Sequence, residues 1–124
     1  MLRSAAAAIL FLATAVPSHA FVAKNDLVVV SVGTGSFEVP YRGLSGTSDF
    51  WCAAGDYVVR ELNLPPTTRI YRTSSPPRRA GQGIAFSLSG RDAKRSGLVL
   101  HSGGRGLTAA HARQLCDVKA FIAD

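Results

Sequence analysis

This sequence has few cysteines, few acidic residues and no second long apolar run. Its 124 residues include two cysteines and one tryptophan, and 8 acidic residues stand against 14 lysines and arginines. The metal-binding motifs HExxH and CxxC are absent, and His101 and His111 have no cysteine or carboxylate at metal-ligand spacing. We therefore expect no metal site and no cofactor.

The first twenty residues predict a signal peptide. Met1–Arg3 is positively charged, Ala5–Val16 is apolar, and Ser18–Ala20 offers small residues for cleavage. Cleavage after Ala20 leaves residues 21–124 as one small domain in the periplasm or outside the cell, with the net charge lowered from +6 to +5 by loss of the one arginine. The alternative is an uncleaved anchor, but the apolar run is shorter than the ~20 residues of a spanning helix.

Two helices are predicted, over residues 48–62 and 108–123, because apolar residues recur there at three- and four-residue steps. Each helix carries one of the two cysteines, Cys52 and Cys116, with small residues around it. An exported chain with two cysteines favours one disulfide, and small neighbours would let the Cα atoms approach to about 5.5 Å. Gly55 costs a helix about 1 kcal/mol relative to alanine, so we expect the second helix to approach closely there.

The helix caps and the strands complete the predicted fold. Thr47 or Ser48 is expected to cap the first helix and Thr108 the second. Strands are predicted over residues 27–32, 36–41, 69–73, 84–89 and 98–102. The first strand is almost continuously apolar, so we expect it to be buried on both faces. The order β-β-α-β-β-β-α predicts an α+β fold, a mostly antiparallel sheet with both helices packed on one face and joined by the disulfide.

Cys52 also supports an alternative function. A helix N-terminus lowers the pKa of a thiol, and His101 follows on a later predicted strand, an order similar to that of some exported cell-wall peptidases. Against this, Cys116 offers a disulfide partner, and His101 is expected on the strand face opposite the leucines that the helices cover. We therefore expect no catalytic residues and keep a cysteine-dependent hydrolase using Cys52 and His101 as the alternative.

Two basic regions are candidate anion-binding sites. Gly103, Gly104 and Arg105 connect a strand to a helix N-terminus, where backbone N–H groups could bind an anion, although a tight turn explains the glycines equally well. Arg78 and Arg79 lie within a longer basic segment comprising Arg69, Arg72, Arg78, Arg79, Arg91, Lys94 and Arg95. We expect this segment to form a solvated basic face, and contact with an anionic envelope component is the alternative that would give it a function. Elsewhere, Asp56 and Arg60 are expected to form an exposed pair one helical turn apart.

Four segments resemble a group of small exported proteins of alphaproteobacteria: Phe50–Tyr57, Arg69–Arg72, Pro76–Arg79 and Gly83–Leu88. The resemblance implies a bacterial periplasmic or secreted setting and supplies no activity or catalytic residue.

Charge and export together favour a non-enzymatic domain that binds an anionic lipid or glycan of the envelope, or an acidic protein. No nucleic acid is expected as a partner, because stacking aromatics are few and an exported protein meets no genome. A purely structural or assembly role is the remaining alternative.

Overall fold

The computed structural model describes residues 20–98 and 105–117, which form one sheet with two helices packed against it. In chain order the elements are β1 (Ala20–Val22), β2 (Val28–Gly33), β3 (Ser36–Val39), α1 (Thr47–Asp56, continued by a π-helical turn at Tyr57–Glu61), β4 (Arg69–Arg72), β5 (Ile84–Ser87), β6 (Leu107–Thr108) and α2 (Ala109–Gln114, followed by a 3-10 turn at Leu115–Asp117). The predicted α+β fold is confirmed.

The six strands form an antiparallel sheet in the order β1-β2-β3-β5-β4-β6. The predicted hairpin is present, with a bulge between Ser31 and Gly33, and β3 ends before Pro40, which has no N–H to donate. The short strands β1 and β6 were not predicted. Leu98 is not in a strand, and the rest of the strand predicted at 98–102 lies outside the described residues, as does the predicted signal peptide except for Ala20.

The helices cover one face of the sheet, and the expectation that β2 is buried on both faces is wrong. Leu27 and Val29 point into the core, whereas Val32 is 59% exposed and Val28 and Val30 are only partly covered. The covered face is filled by aromatic rings. Phe37 lies 4.7 Å from Tyr57 and 5.7 Å from Phe86 between ring centroids. The apolar run therefore reflects β-propensity on a half-open sheet rather than burial by two layers.

Helix α1 begins two residues earlier than a Ser48 cap would require and one residue earlier than a Thr47 cap would require. Thr47 is its first helical residue and Gly46 is its N-cap, so neither hydroxyl residue caps it. The Asp49 carboxylate takes that role by accepting a hydrogen bond from the Gly46 N–H at 2.8 Å, and it also places a negative charge in the first turn. Among the described residues, no helix has both the length and the apolar character needed to cross a membrane.

The two helices meet where the small residues predicted contact. A Cβ at Gly55 would lie 2.8 Å from the Ala109 carbonyl oxygen and 2.8 Å from the Ala112 Cβ, so only glycine allows this approach. One turn away, Cys52 and Cys116 form a disulfide with 4.8 Å between Cα atoms. Thr108 caps α2, as predicted, by accepting from the His111 N–H at 3.2 Å. Helix α2 ends at Gln114 and its 3-10 turn at Asp117, and the remainder of the helix predicted to residue 123 lies outside the described residues.

Candidate functional site: a basic cavity

A cavity of about 420 Å³ lies at one end of the sheet, where the segments after β4 and β5 meet the segment before β6. Its lining residues are Ser75, Pro76, Ala93, Lys94, Arg95 and Arg105. Three of the six are cationic and none is acidic. We call this site the basic cavity.

Arg72, in β4, holds two walls of the basic cavity together. Its Nε donates to the Ser74 carbonyl at 2.8 Å, and its Nη1 donates to the Ser96 carbonyl at 3.1 Å. Ser74 adjoins the lining residue Ser75, and Ser96 adjoins the lining residue Arg95. The Ser96 carbonyl also accepts from Trp51 Nε1 at 3.0 Å, which anchors the same wall to α1.

The approach of this wall to Arg72 requires a glycine at position 97. Gly97 has a φ of +78°, and a side chain there would collide with the Arg72 guanidinium. Only glycine adopts this left-handed conformation without a steric penalty. The turn therefore brings the 93–97 segment directly over Arg72.

Arg72 is 1% exposed, so the expectation that it belongs to a solvated basic face is wrong. Its position in β4 explains the burial, because it lies two residues after buried Ile70 and therefore on the same face of the strand. Burial lowers the pKa of the Arg72 guanidinium, and the positive charge of Arg78 lowers the pKa further. The group still carries its charge at neutral pH.

The cations of the basic cavity have no acidic partner among residues 20–98 and 105–117. The ion pairs in this part of the chain join Lys24 to Asp117, and Arg60 and Arg113 to Asp56. Lys94, Arg95 and Arg105 are exposed at the rim of the cavity. Their charges are therefore available to a ligand.

Of the predicted anion-binding residues that the structure describes, only Arg105 lines the basic cavity. Arg105 joins Lys94 and Arg95 at the basic cavity, while Gly103 and Gly104 lie outside the described residues. Arg79 is exposed and is not part of the cavity lining.

Arg78 is half-buried and is engaged by the protein itself. Its Nη1 donates to the Gln82 carbonyl and its Nη2 to the Ser45 carbonyl, each at 3.0 Å. Its guanidinium also lies over the Phe50 ring, 4.7 Å from the centroid. These contacts tie the loop before α1 to the loop before β5, which is a structural role.

Cys52 is fully buried and bonded to Cys116, so its sulfur is not a free thiolate in this structure. His101, the partner in the alternative hydrolase, lies outside the described residues. His111 lies on the exposed side of α2. Across the described ranges there is no group of three or more histidine, cysteine or acidic residues that could hold a metal ion.

Asp56 is fully buried, so the expectation of an exposed pair with Arg60 is wrong. Its Oδ2 accepts from the Lys24 backbone N–H at 2.9 Å and from Arg60 Nη1 at 2.6 Å. Its Oδ1 lies 3.5 Å from Arg113 Nη2. Close packing of α2 beside Gly55 buries this carboxylate. Two hydrogen-bond donors and one further ion-pair partner reach it from three different segments.

Comparison of this chain with protein-family models, with curated proteins and with solved structures finds no match in any of the three. The resemblance to exported alphaproteobacterial proteins therefore stays a prediction, and the functional argument stands on the geometry of the basic cavity.

Proposed function

We propose that this chain is an exported, non-enzymatic domain that binds an anionic component of the bacterial envelope, a lipid or glycan, or an acidic protein, through the basic cavity. The observation that carries this proposal is the convergence of Lys94, Arg95 and Arg105 on one concave site with no carboxylate in its lining. Unpaired cations in a concave site focus a positive potential that attracts anionic ligands.

The signal-peptide pattern and the disulfide support the exported setting. Disulfides persist in oxidising compartments such as the periplasm. A disulfide between α1 and α2 is compatible with export to that compartment, although it is weaker support than the N-terminal pattern.

The alternative hydrolase receives no support from the site geometry. Its nucleophile would have to be the Cys52 thiolate, which requires reduction of a buried disulfide. We therefore favour binding over catalysis.

The test compares retention of the oxidised protein on anionic vesicles and on a sulfated glycan resin while salt is raised. The double variant R95Q/R105Q removes two charges from the basic cavity. The control R79Q/R91Q removes two charges from exposed arginines outside it.

The proposal expects R95Q/R105Q to elute at clearly lower salt than the wild type, with R79Q/R91Q close to the wild type. If both variants lose retention equally, binding depends on net charge alone and the basic cavity is not the site. If neither matrix retains the wild type, an acidic protein is the remaining ligand; failure of an acidic polypeptide resin to retain it as well would overturn the proposal.

A further inference from the structure

The chemical class of the ligand can be read from the charges around the basic cavity. A single carboxylate carries one negative charge, whereas Lys94, Arg95 and Arg105 supply three positive charges. A phosphomonoester carries about −1.5 to −2 charges and three acceptor oxygens. The charge balance therefore favours a phosphomonoester over a lone carboxylate.

The hydrogen-bond donors of the basic cavity also favour a phosphomonoester. Guanidinium groups donate two parallel hydrogen bonds to phosphate oxygens, and an ammonium acts as a compact point charge beside them. Arg95 and Arg105 supply the two guanidinium groups, and Lys94 supplies the ammonium. Ser75 adds a hydroxyl to the lining. A phosphate group has three terminal oxygens that point in different directions, so it can accept from more of these groups than a carboxylate, whose two oxygens lie in one plane.

Arg72 adds a fourth positive charge behind the walls. It is buried, it bonds only to neutral carbonyl groups, and no ion pair joins it to an acidic side chain among the described residues. A buried cation with no counter-charge is unfavourable, and an anion held nearby relieves that cost. The cavity is therefore positive at its rim and behind its walls.

The cavity is large enough to hold a compact anionic group. A volume of about 420 Å³ lies near the lower end of the range for small-molecule sites, about 300–1,000 Å³. Resting on the proposed function, we infer that the basic cavity binds a dianionic phosphomonoester group, either on a small soluble molecule or as the headgroup of a lipid.

The first experiment titrates the oxidised, exported protein with inorganic phosphate at constant ionic strength and follows binding by calorimetry. Acetate is the matched monoanion. Phosphate should bind at least about tenfold more tightly than acetate, because charge-assisted bonds to several donors add in the dianion. R95Q/R105Q should lose at least about tenfold in phosphate affinity, and R79Q/R91Q should keep it. Equal binding of phosphate and acetate, or equal losses in the two variants, would overturn the inference.

The second experiment distinguishes the two sources of the group. Vesicles containing phosphatidic acid, a phosphomonoester lipid, are compared with phosphatidylglycerol vesicles, a diester, at matched surface charge. Preference for phosphatidic acid together with phosphate binding assigns a lipid headgroup, and phosphate binding without that preference assigns a soluble phosphomonoester. Retention on both vesicle types without phosphate binding defeats this inference but leaves the proposed function standing. Loss of every interaction defeats both.

Discussion

At the scale of single residues, two buried charges each contact several segments of this small domain. Asp56 accepts hydrogen bonds from the β1–β2 turn and from Arg60 one turn on, and it forms an ion pair with Arg113 of α2. Arg72 donates to carbonyl groups of two cavity walls. Each side chain therefore fixes the relative position of segments that are distant in the sequence. Because removing one partner leaves buried groups unpaired, both positions should tolerate substitution poorly.

D56N should lower the free energy of unfolding by about 2 kcal/mol, because it removes the charge from hydrogen bonds made to a buried carboxylate. The measurement is urea unfolding followed by circular dichroism with the disulfide intact. D92N, at an exposed position, is the matched control and should stay close to the wild type. A D56N protein as stable as D92N would show that the buried ion pairs contribute nothing net.

At the scale of elements, the most extensive contact among the described elements is between α1 and α2. Its closeness depends on Gly55, since the space for a methyl group at that position is already occupied by the α2 backbone and Ala112. The disulfide and the Asp56 ion pairs lie along the same contact. The disulfide, the ion pair and the close packing therefore all stabilise the same interface between the two helices.

G55A tests this contact because helix propensity predicts a gain of stability for this change, whereas packing predicts a loss. In an isolated helix the change would stabilise by about 1 kcal/mol, but overpacking a close contact costs about 1–3 kcal/mol. We expect a net loss of stability in urea unfolding. G33A is the matched control, because a Cβ there meets no atom within 4 Å. A gain of stability in G55A would mean that the helices are not packed this closely.

At the scale of the whole molecule, the disulfide closes a loop across a sequence separation of 64 residues, more than half of the 124-residue chain. Such a cross-link restricts the unfolded chain far more than a short one would. In a domain of this size the core alone supplies little stability. The cross-link is therefore expected to make a large contribution to the net stability.

C52A/C116A should lose about 4 kcal/mol of stability, from the loop-closure entropy of a loop of this length. Urea unfolding of the oxidised protein and of the double variant gives the comparison. Thiol titration of the wild type under denaturing conditions without reductant should find no free thiol. Two free thiols, or equal stability of the two proteins, would contradict the disulfide between the helices.

The sequence predicts the fold better than it predicts the site, for reasons visible in particular residues. Gly55 and the cysteines predict the helix contact, because small residues recur with helical spacing on both helices. The strands β1 and β6 have three and two residues, too few to show a period. Arg72 follows Ile70 at strand spacing, so its burial could have been predicted from the pattern. Exposure was expected instead, because arginine side chains are rarely buried.

The basic cavity itself could not be predicted from local patterns. Lys94 and Arg95 lie in one connecting segment and Arg105 lies in another, and only the pairing of β4 with both β5 and β6 brings the three together. The burial of Asp56 likewise depends on how closely α2 packs against α1. The pattern of residues within α1 alone does not show this distance.

The hydrogen bond from Trp51 to the Ser96 carbonyl makes the only tryptophan of this chain a natural optical probe of the basic cavity. The indole is fully buried, so its fluorescence emission should lie well to the blue of an exposed indole. Arg95 adjoins Ser96, so we expect an anion bound at Arg95 to alter the electrostatic field at the indole. Phosphate should therefore change the emission of the wild type and of R79Q/R91Q, but not that of R95Q/R105Q.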